Sequence, residues 1–269
     1  MTHAESSALG SFAAELRAQR KRAGWTQVEL GLKIGYSDSF ISDVERGARR
    51  PALDFALACD REMDLPGTFA RWHELSRREA YPGWFAPYAE LESACTRLHN
   101  WDTRFFTGLL QTEDYAHAII RACHPEWSDA RVDIDVQARM ERQEILNHEV
   151  PAWFVIGESA FWRVFGSNEI MRAQIDHVAE LSSQPAITIQ VFPFSVPDCP
   201  ATDGPVTKLD FDAKPSAGYA EGYEAGRVIE SPSEVATLVT LFDHLRATAL
   251  SPRESAAWIR RYRSNYETA

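Results

Sequence analysis

The chain has 269 residues, 45% hydrophobic and 25% charged, the balance of a soluble globular protein with room for one large or two ordinary domains. Its net charge of −11 speaks against a uniformly basic nucleic-acid binder, but residues 1–80 hold 12 basic and 12 acidic side chains, so the excess lies in the remainder, with 16 basic against 27 acidic. No apolar run approaches the roughly 20 residues that span a bilayer, and MTHAESSALG at the start lacks the basic and apolar regions of a signal peptide, so a cytoplasmic protein without a membrane partner is expected.

Residues 9–23 predict a first helix with Phe12, Ala13 and Leu16 on its core side and a basic end; Gly24 stops it and Trp25 opens the next turn. The stretch 26–46, TQVELGLKIGYSDSFISDVER, then reads as two short helices across a tight turn. Thr26 and Glu29 have the spacing of a capping box, Leu30 and Ile34 share one helical face, and Gly35 ends the helix where a missing Cβ is cheapest. Ser37 caps the second helix, whose inward side is Phe40, Ile41 and Val44. Two helices joined by a short Gly-containing turn form a helix-turn-helix.

The outward positions at the start of the second helix are Ser37, Asp38, Ser39 and Ser42, short polar side chains of the kind that reach base edges in a major groove. Thr26, Gln27 and Lys33 flank them, and the loop Gly47-Ala48-Arg49-Arg50-Pro51 places Arg49 and Arg50 where backbone phosphates would lie. With Arg17, Arg20, Lys21, Arg22 and Arg46 they concentrate positive charge in one part of the chain, as phosphate contacts require. These residues resemble the helix-turn-helix family typified by phage repressors and Cro. In that family a Gln follows the N-cap (here Gln27), a Glu-x-Gly closes the recognition helix (Glu45-Arg46-Gly47), and the Glu pairs with an Arg of the first helix, a place that Arg17 occupies. Asp38 and Asp43 depart from the pattern, since repressors more often carry Gln, Asn or Lys there.

Helices at 53–60 and 67–79 complete a five-helix, all-α domain over residues 1–80, and Tyr81-Pro82-Gly83 marks a boundary. Residues 82–269 read as an α+β or α/β domain with a helical entry and a small sheet. Helix-like segments rich in aromatics (Trp84, Phe85, Tyr88, Trp101, Phe105, Phe106) lead into helices at 112–123 and about 128–147. A strand is expected at 152–158, a helix at 168–183 and a strand at 186–194. Further strands are expected at 205–212, 217–221 and 226–229, and helices at 232–249 and 251–262.

Several runs in this part resemble the WhiJ-like regulators of actinobacteria: Gly108-Leu-Leu-Gln111-Thr112 with Tyr115-Ala116, Arg139 and Gln143, Met171 and Gln174, Gln190-Val191 with Pro193-Phe194, Tyr219 with Glu221, and Ala249-Leu-Ser-Pro252 with Ser255. Phe106-Thr107 stands where the family usually has Pro, and Val206 where it usually has Phe. The resemblance implies a transcriptional regulator whose second domain binds a small protein encoded by an adjacent gene, or an antitoxin-like adaptor that mainly binds such a protein and autoregulates its locus. A homodimer on a two-fold site on double-stranded DNA is expected.

No phosphate-binding glycine loop, HExxH, GxSxG or calcium-loop pattern occurs, so no cofactor, metal or catalytic residue is assigned. Cys59, Cys95, Cys123 and Cys199 stand apart with no Cys-x-x-Cys, which fits reduced, buried thiols. Glu158 and Glu221 fall at strand ends beside aromatics, where they suit an acid–base pair, a ligand contact or buried polar partners. Tyr219, Glu221 and Tyr223 alternate and so would share one strand face, lining a ligand or partner surface or packing in the core.

Overall fold

A computed structural model describes residues 7–79, 81–197, 199–200 and 204–266. Two compact units divide the chain, the first formed by residues 1–83 with 126–138 and the second by 84–125 with 139–269.

The first unit is helical. Ser7 caps α1 (Ala8–Arg22) by accepting the Gly10 N–H. Helix α2 (Gln27–Ile34) starts with the complete Thr26/Glu29 capping box, and Gly35 ends it in the left-handed region at φ 81°. Gly31 is needed for another reason: a Cβ there would sit 2.3 Å from the Tyr36 carbonyl oxygen, so the turn into α3 (Asp38–Glu45) closes directly over it. α4 (Leu53–Glu62) and α5 (Thr68–Glu79) follow. The buried Asp60 carboxylate accepts the Phe69 and Ala70 N–H groups, both at 2.9 Å, which supplies α5 with the anion its first turn favours. Phe12, Leu16, Leu30, Ile41, Val44, Phe55 and Phe69 are fully buried together, and each large apolar side chain so buried contributes about 1.5–3 kcal/mol. Residues 126–138, which include most of α8 (Asp129–Arg142), also belong here, and the Gln137 side-chain oxygen Oε1 accepts the Arg50 backbone N–H at 3.3 Å.

The second unit has α6 (Ala86–Ser93), α7 (Glu113–Cys123), α9 (Ser159–Trp162), α10 (Asn168–Leu181), α11 (Pro232–Thr248) and α12 (Pro252–Tyr262) around a six-stranded sheet. The strands are β1 (Arg97–Asp102), β2 (Ala152–Gly157), β3 (Ile187–Phe192), β4 (Val206–Asp210), β5 (Ala217–Gly222) and β6 (Ala225–Ile229), in spatial order β3-β2-β1-β4-β5-β6. The β3-β2-β1 half is parallel, and β1-β4-β5-β6 is antiparallel. The α+β class expected from sequence is therefore observed, with a correction at the entry. Residues 97–102, which looked like part of a helical lead-in, form the strand that joins the two halves. The long helix expected to 147 also ends at Arg142 and continues as a 3-10 helix over Gln143–His148.

One sheet face packs Trp101, Val155 and Phe192 against Phe242 and Leu245, and Val206 and Ile229 against Val235 and Leu238. The register puts Asn100, Asp102, Thr207, Tyr219 and Glu221 on the opposite face.

Candidate nucleic-acid interface

The end of α3 is pinned from two sides. Arg20 donates to both Glu45 oxygens, Nε to Oε1 at 2.5 Å and Nη2 to Oε2 at 2.9 Å, and Gln27 Nε2 donates to Oε2 at 2.9 Å. Arg17 donates instead to the Glu45 carbonyl at 2.7 Å and approaches the carboxylate only to 3.8 Å. The expected partner is thus corrected: Arg20, one helical turn on, makes the bidentate pair, and Arg17 holds the carbonyl. Burial opposes the Glu45 charge, but the Arg20 and Gln27 hydrogen bonds and the two guanidinium charges outweigh it and hold the carboxyl below its ordinary pKa.

With its scaffold fixed this way, α3 shows a polar face. Ser37, Asp38 and Ser39 are exposed and Ser42 is half-buried. The Ser37 oxygen is engaged as the cap, accepting the Phe40 N–H at 3.2 Å, and it lies 3.0 Å from the Ser39 hydroxyl. Asp43 pairs with Arg46 one turn along, which offsets its charge. Thr26 is exposed, and its hydroxyl accepts the Glu29 N–H. Lys33 bridges to Glu62 at 2.8 Å with its ammonium 4.7 Å from the centre of the Trp25 ring. Arg49 is exposed over the Phe40 ring at 4.5 Å. Arg50 differs from the expectation for a phosphate-gripping residue: it is buried, only 3% exposed.

In the second unit, Glu158 Oε2 accepts the Phe194 N–H at 2.7 Å and Oε1 accepts the Trp162 indole N–H at 3.2 Å. It braces two aromatics that are themselves 63% and 60% exposed. Tyr219 is buried, stacked on Tyr88 at 4.1 Å with Phe85 edge-on at 5.8 Å. Glu221 shares its strand face. Burial raises the Glu221 pKa although Arg142, Arg139 and Arg104 act to lower it. Tyr223 does not share that face. It lies beyond β5 in the two-residue turn to β6 and is 91% exposed. Sequence reasoning missed Asp102 on the same face, whose pKa is pushed up to about 6, chiefly by burial, with Glu221 adding to the rise. It also missed the Glu92–Arg142 pair, bonded at 2.7 and 3.1 Å.

The residues that carried the second resemblance form a scaffold. Gln143 Nε2 donates to the Gly108 and Gln111 carbonyls at 2.8 and 2.7 Å, and Gln174 Nε2 donates to the Leu110 carbonyl at 2.6 Å. Arg139 donates to Gln111 Oε1 at 2.8 Å. Gln190 and Ser255 likewise tie β3 to the chain around Leu250. Cys59 and Cys95 are buried thiols, whereas Cys123 and Cys199 are exposed, contrary to the expectation of four buried ones. Among the described residues no group of three or more His, Cys, Asp or Glu is placed to hold a metal ion, and no helix is long and apolar enough to cross a membrane.

A capped pair of short helices with a pinned second helix and a polar outer face defines a helix-turn-helix DNA-binding domain, and residues 11–70 match the family described as a helix-turn-helix domain. Residues 85–261 match a family described as a domain of unknown function, DUF5753, and the chain belongs to that family. No curated protein and no solved structure gives a match.

Proposed function

We propose that this chain is a sequence-specific DNA-binding transcriptional regulator whose second unit binds a small protein or ligand that tunes DNA affinity. The observation that carries the reading is the α3 surface: Ser37, Asp38 and Ser39 stand exposed at the start of a helix whose far end is fixed by Arg20 and Glu45. A rigid helix with short polar side chains at its N-terminal end fits the major groove. Arg49, Lys33 and the exposed Thr26 lie on the flanking segments, from which backbone phosphates are contacted. Gln27 acts first as a brace on Glu45, so any part it plays at the DNA comes with that role.

A homodimer fits the two-fold symmetry of operators read by such domains. A partner-binding second unit is supported by the exposed Trp162 and Phe194, since aromatics of that kind anchor protein interfaces. The same feature suits the antitoxin-like reading, in which a small cognate protein is the main ligand.

The test is fluorescence anisotropy of the full chain with DNA from upstream of its own gene against scrambled DNA, across a salt series. Specific binding that weakens with salt and is reduced in Arg49→Ala is expected. Equal affinity for both DNAs at every salt concentration would sink the sequence-specific reading.

A further inference from the structure

The pairing of β1 with β4 and of β4 with β5 sets Trp101, Val206 and Ala220 in one row across three neighbouring strands. One step along, the next row is Asp102, Pro205 and Glu221, and the Glu221 N–H closes it by donating to the Pro205 carbonyl at 3.1 Å. Alternation turns this row to the face opposite Trp101 and Val206. Two carboxylates thus rise from one sheet face on either side of a proline ring, their backbones two strand spacings, about 10 Å, apart.

Neither carboxylate has a counter-ion of its own among the described residues. Asp102 is 6% exposed and accepts the Arg104 backbone N–H at 2.8 Å. No described group donates a hydrogen bond to the Glu221 side chain, which is half-buried. Arg142 is held by both oxygens of Glu92, and Arg139 donates to Gln111 Oε1. Arg104 is exposed, its guanidinium 5.3 Å from the centre of the Phe105 ring. Burial outweighs the pull of these three guanidinium groups at Glu221, as it outweighs that of Arg104 at Asp102. A third group nearby lacks a partner: the Tyr115 hydroxyl is fully buried without a hydrogen bond, and the Asp102 charge acts on it. Buried oxygens left without donors cost stability, and carboxylates perturbed in this way gather at binding and catalytic sites.

We propose that this row binds a short aliphatic diamine. One ammonium donates to Asp102 and to the Tyr115 oxygen, the other donates to Glu221, and the methylene chain lies over the Pro205 ring. An ammonium carries three donors and no acceptor, which is what oxygens short of donors require, and its hydrogen bonds to a carboxylate are charge-assisted. The binding stands on the sheet geometry alone. Its effect on DNA affinity rests on the regulator reading, for which it supplies the chemical class of the ligand.

The experiment is calorimetric titration of the full chain with putrescine, butylamine and succinate in the absence of DNA. Putrescine is expected to bind saturably, one per chain, about ten-fold tighter than butylamine, with no binding of succinate. Asp102→Asn and Glu221→Gln should each bring putrescine down to the affinity of butylamine, with an unchanged circular dichroism spectrum. Replacement of the exposed Asp243 by Asn should leave the affinity as it was. Absence of saturable putrescine binding overturns the site and leaves the DNA-binding reading untouched. Binding indifferent to Asp102→Asn and Glu221→Gln also overturns it, since the diamine is then held by the acidic surface at large. Anisotropy with DNA follows with and without putrescine, in the unsubstituted chain and in Asp102→Asn. A change of affinity confined to the unsubstituted chain supports the coupling, and equal changes in both overturn it, because screening of the DNA by putrescine acts on both alike. A chain that binds putrescine but no DNA would count against the regulator reading while the site stands.

Discussion

Arg20 and Glu45 are 25 positions apart and share two hydrogen bonds, with side chains that are 11% and 2% exposed. Removing one partner of such a pair leaves the other charged and buried, which costs about 3–5 kcal/mol. Arg20→Ala and Glu45→Gln are each expected to lower the unfolding free energy by about that amount in urea titrations, and the joint replacement Arg20→Met/Glu45→Leu by much less. Equal losses in the single and joint variants would show that packing, not the ion pair, carries the effect.

The same pair sets an acid limit. The folded Glu45 pKa lies below its ordinary value, so its contribution is complete above the unfolded value of about 4.3 and is lost as pH falls through the folded one. Unfolding followed from pH 7 to pH 2 should show stability falling in the acid range, and the fall should be shallower in Glu45→Gln.

Asp102 has the opposite sign. Its folded pKa of about 6 exceeds the unfolded value of about 3.9, so the ionised carboxylate costs stability above pH 6 and the cost disappears as pH drops below the unfolded value. Asp102→Asn keeps an oxygen able to accept the Arg104 N–H that Asp102 now accepts at 2.8 Å. It should stabilise the chain by up to about 3 kcal/mol at pH 7.5 and hardly at all near pH 4. Destabilisation at both pH values would mean that Asp102 is held charged by a partner.

Arg49 and Arg50 are neighbours in sequence with different surroundings. Arg49→Ala is expected to weaken DNA of any sequence and to reduce the salt dependence by about one phosphate contact, with little change in melting temperature. Arg50→Ala should lower the melting temperature, because Arg50 is buried. Interchanged effects in anisotropy and thermal melts would contradict the placement.

Asp38 is exposed at the first position of α3. A carboxylate accepts from cytosine N4, whereas a carboxamide pairs with adenine in two bonds. Asp38→Asn should shift the preferred base at one operator position from cytosine toward adenine, in a selection from randomised DNA, and raise overall affinity by removing a negative charge. An unchanged preference would mean that Asp38 makes no base contact.

The helix-turn-helix was legible because its signals are local: Thr26 with Glu29, Gly35 and Ser37 each act within one turn of their own position. Choosing between Arg17 and Arg20 was not local, since both lie on the same side of α1 and only the packed position of α3 decides. Arg50 read as a surface residue because the segment that contains Gln137 joins its surroundings 87 positions later. In β1, Arg-Leu-His-Asn-Trp-Asp has no apolar run. Of its polar members, Asn100 is satisfied from far along the chain by Thr207 at 2.9 Å, and His99 comes no nearer than 3.6 Å to Asp210. Tyr223 was misplaced by counting alternation past the last residue of β5, into a turn where Glu224 takes φ 48° without a glycine.

β1 pairs in parallel with β2 and antiparallel with β4, bringing Leu98 beside both Ala152 and Leu209. On the ribosome this central strand emerges long before either neighbour, and the antiparallel half of the sheet stays unmade until the chain has passed residue 210. Pairings across such separations are slow, and a strand waiting with open edges invites the wrong partner. A nascent chain stalled between β3 and β4 presents that hazard at its greatest, so chaperone demand in synthesis belongs to the second unit, at the stage when β1 has one neighbour and lacks the other.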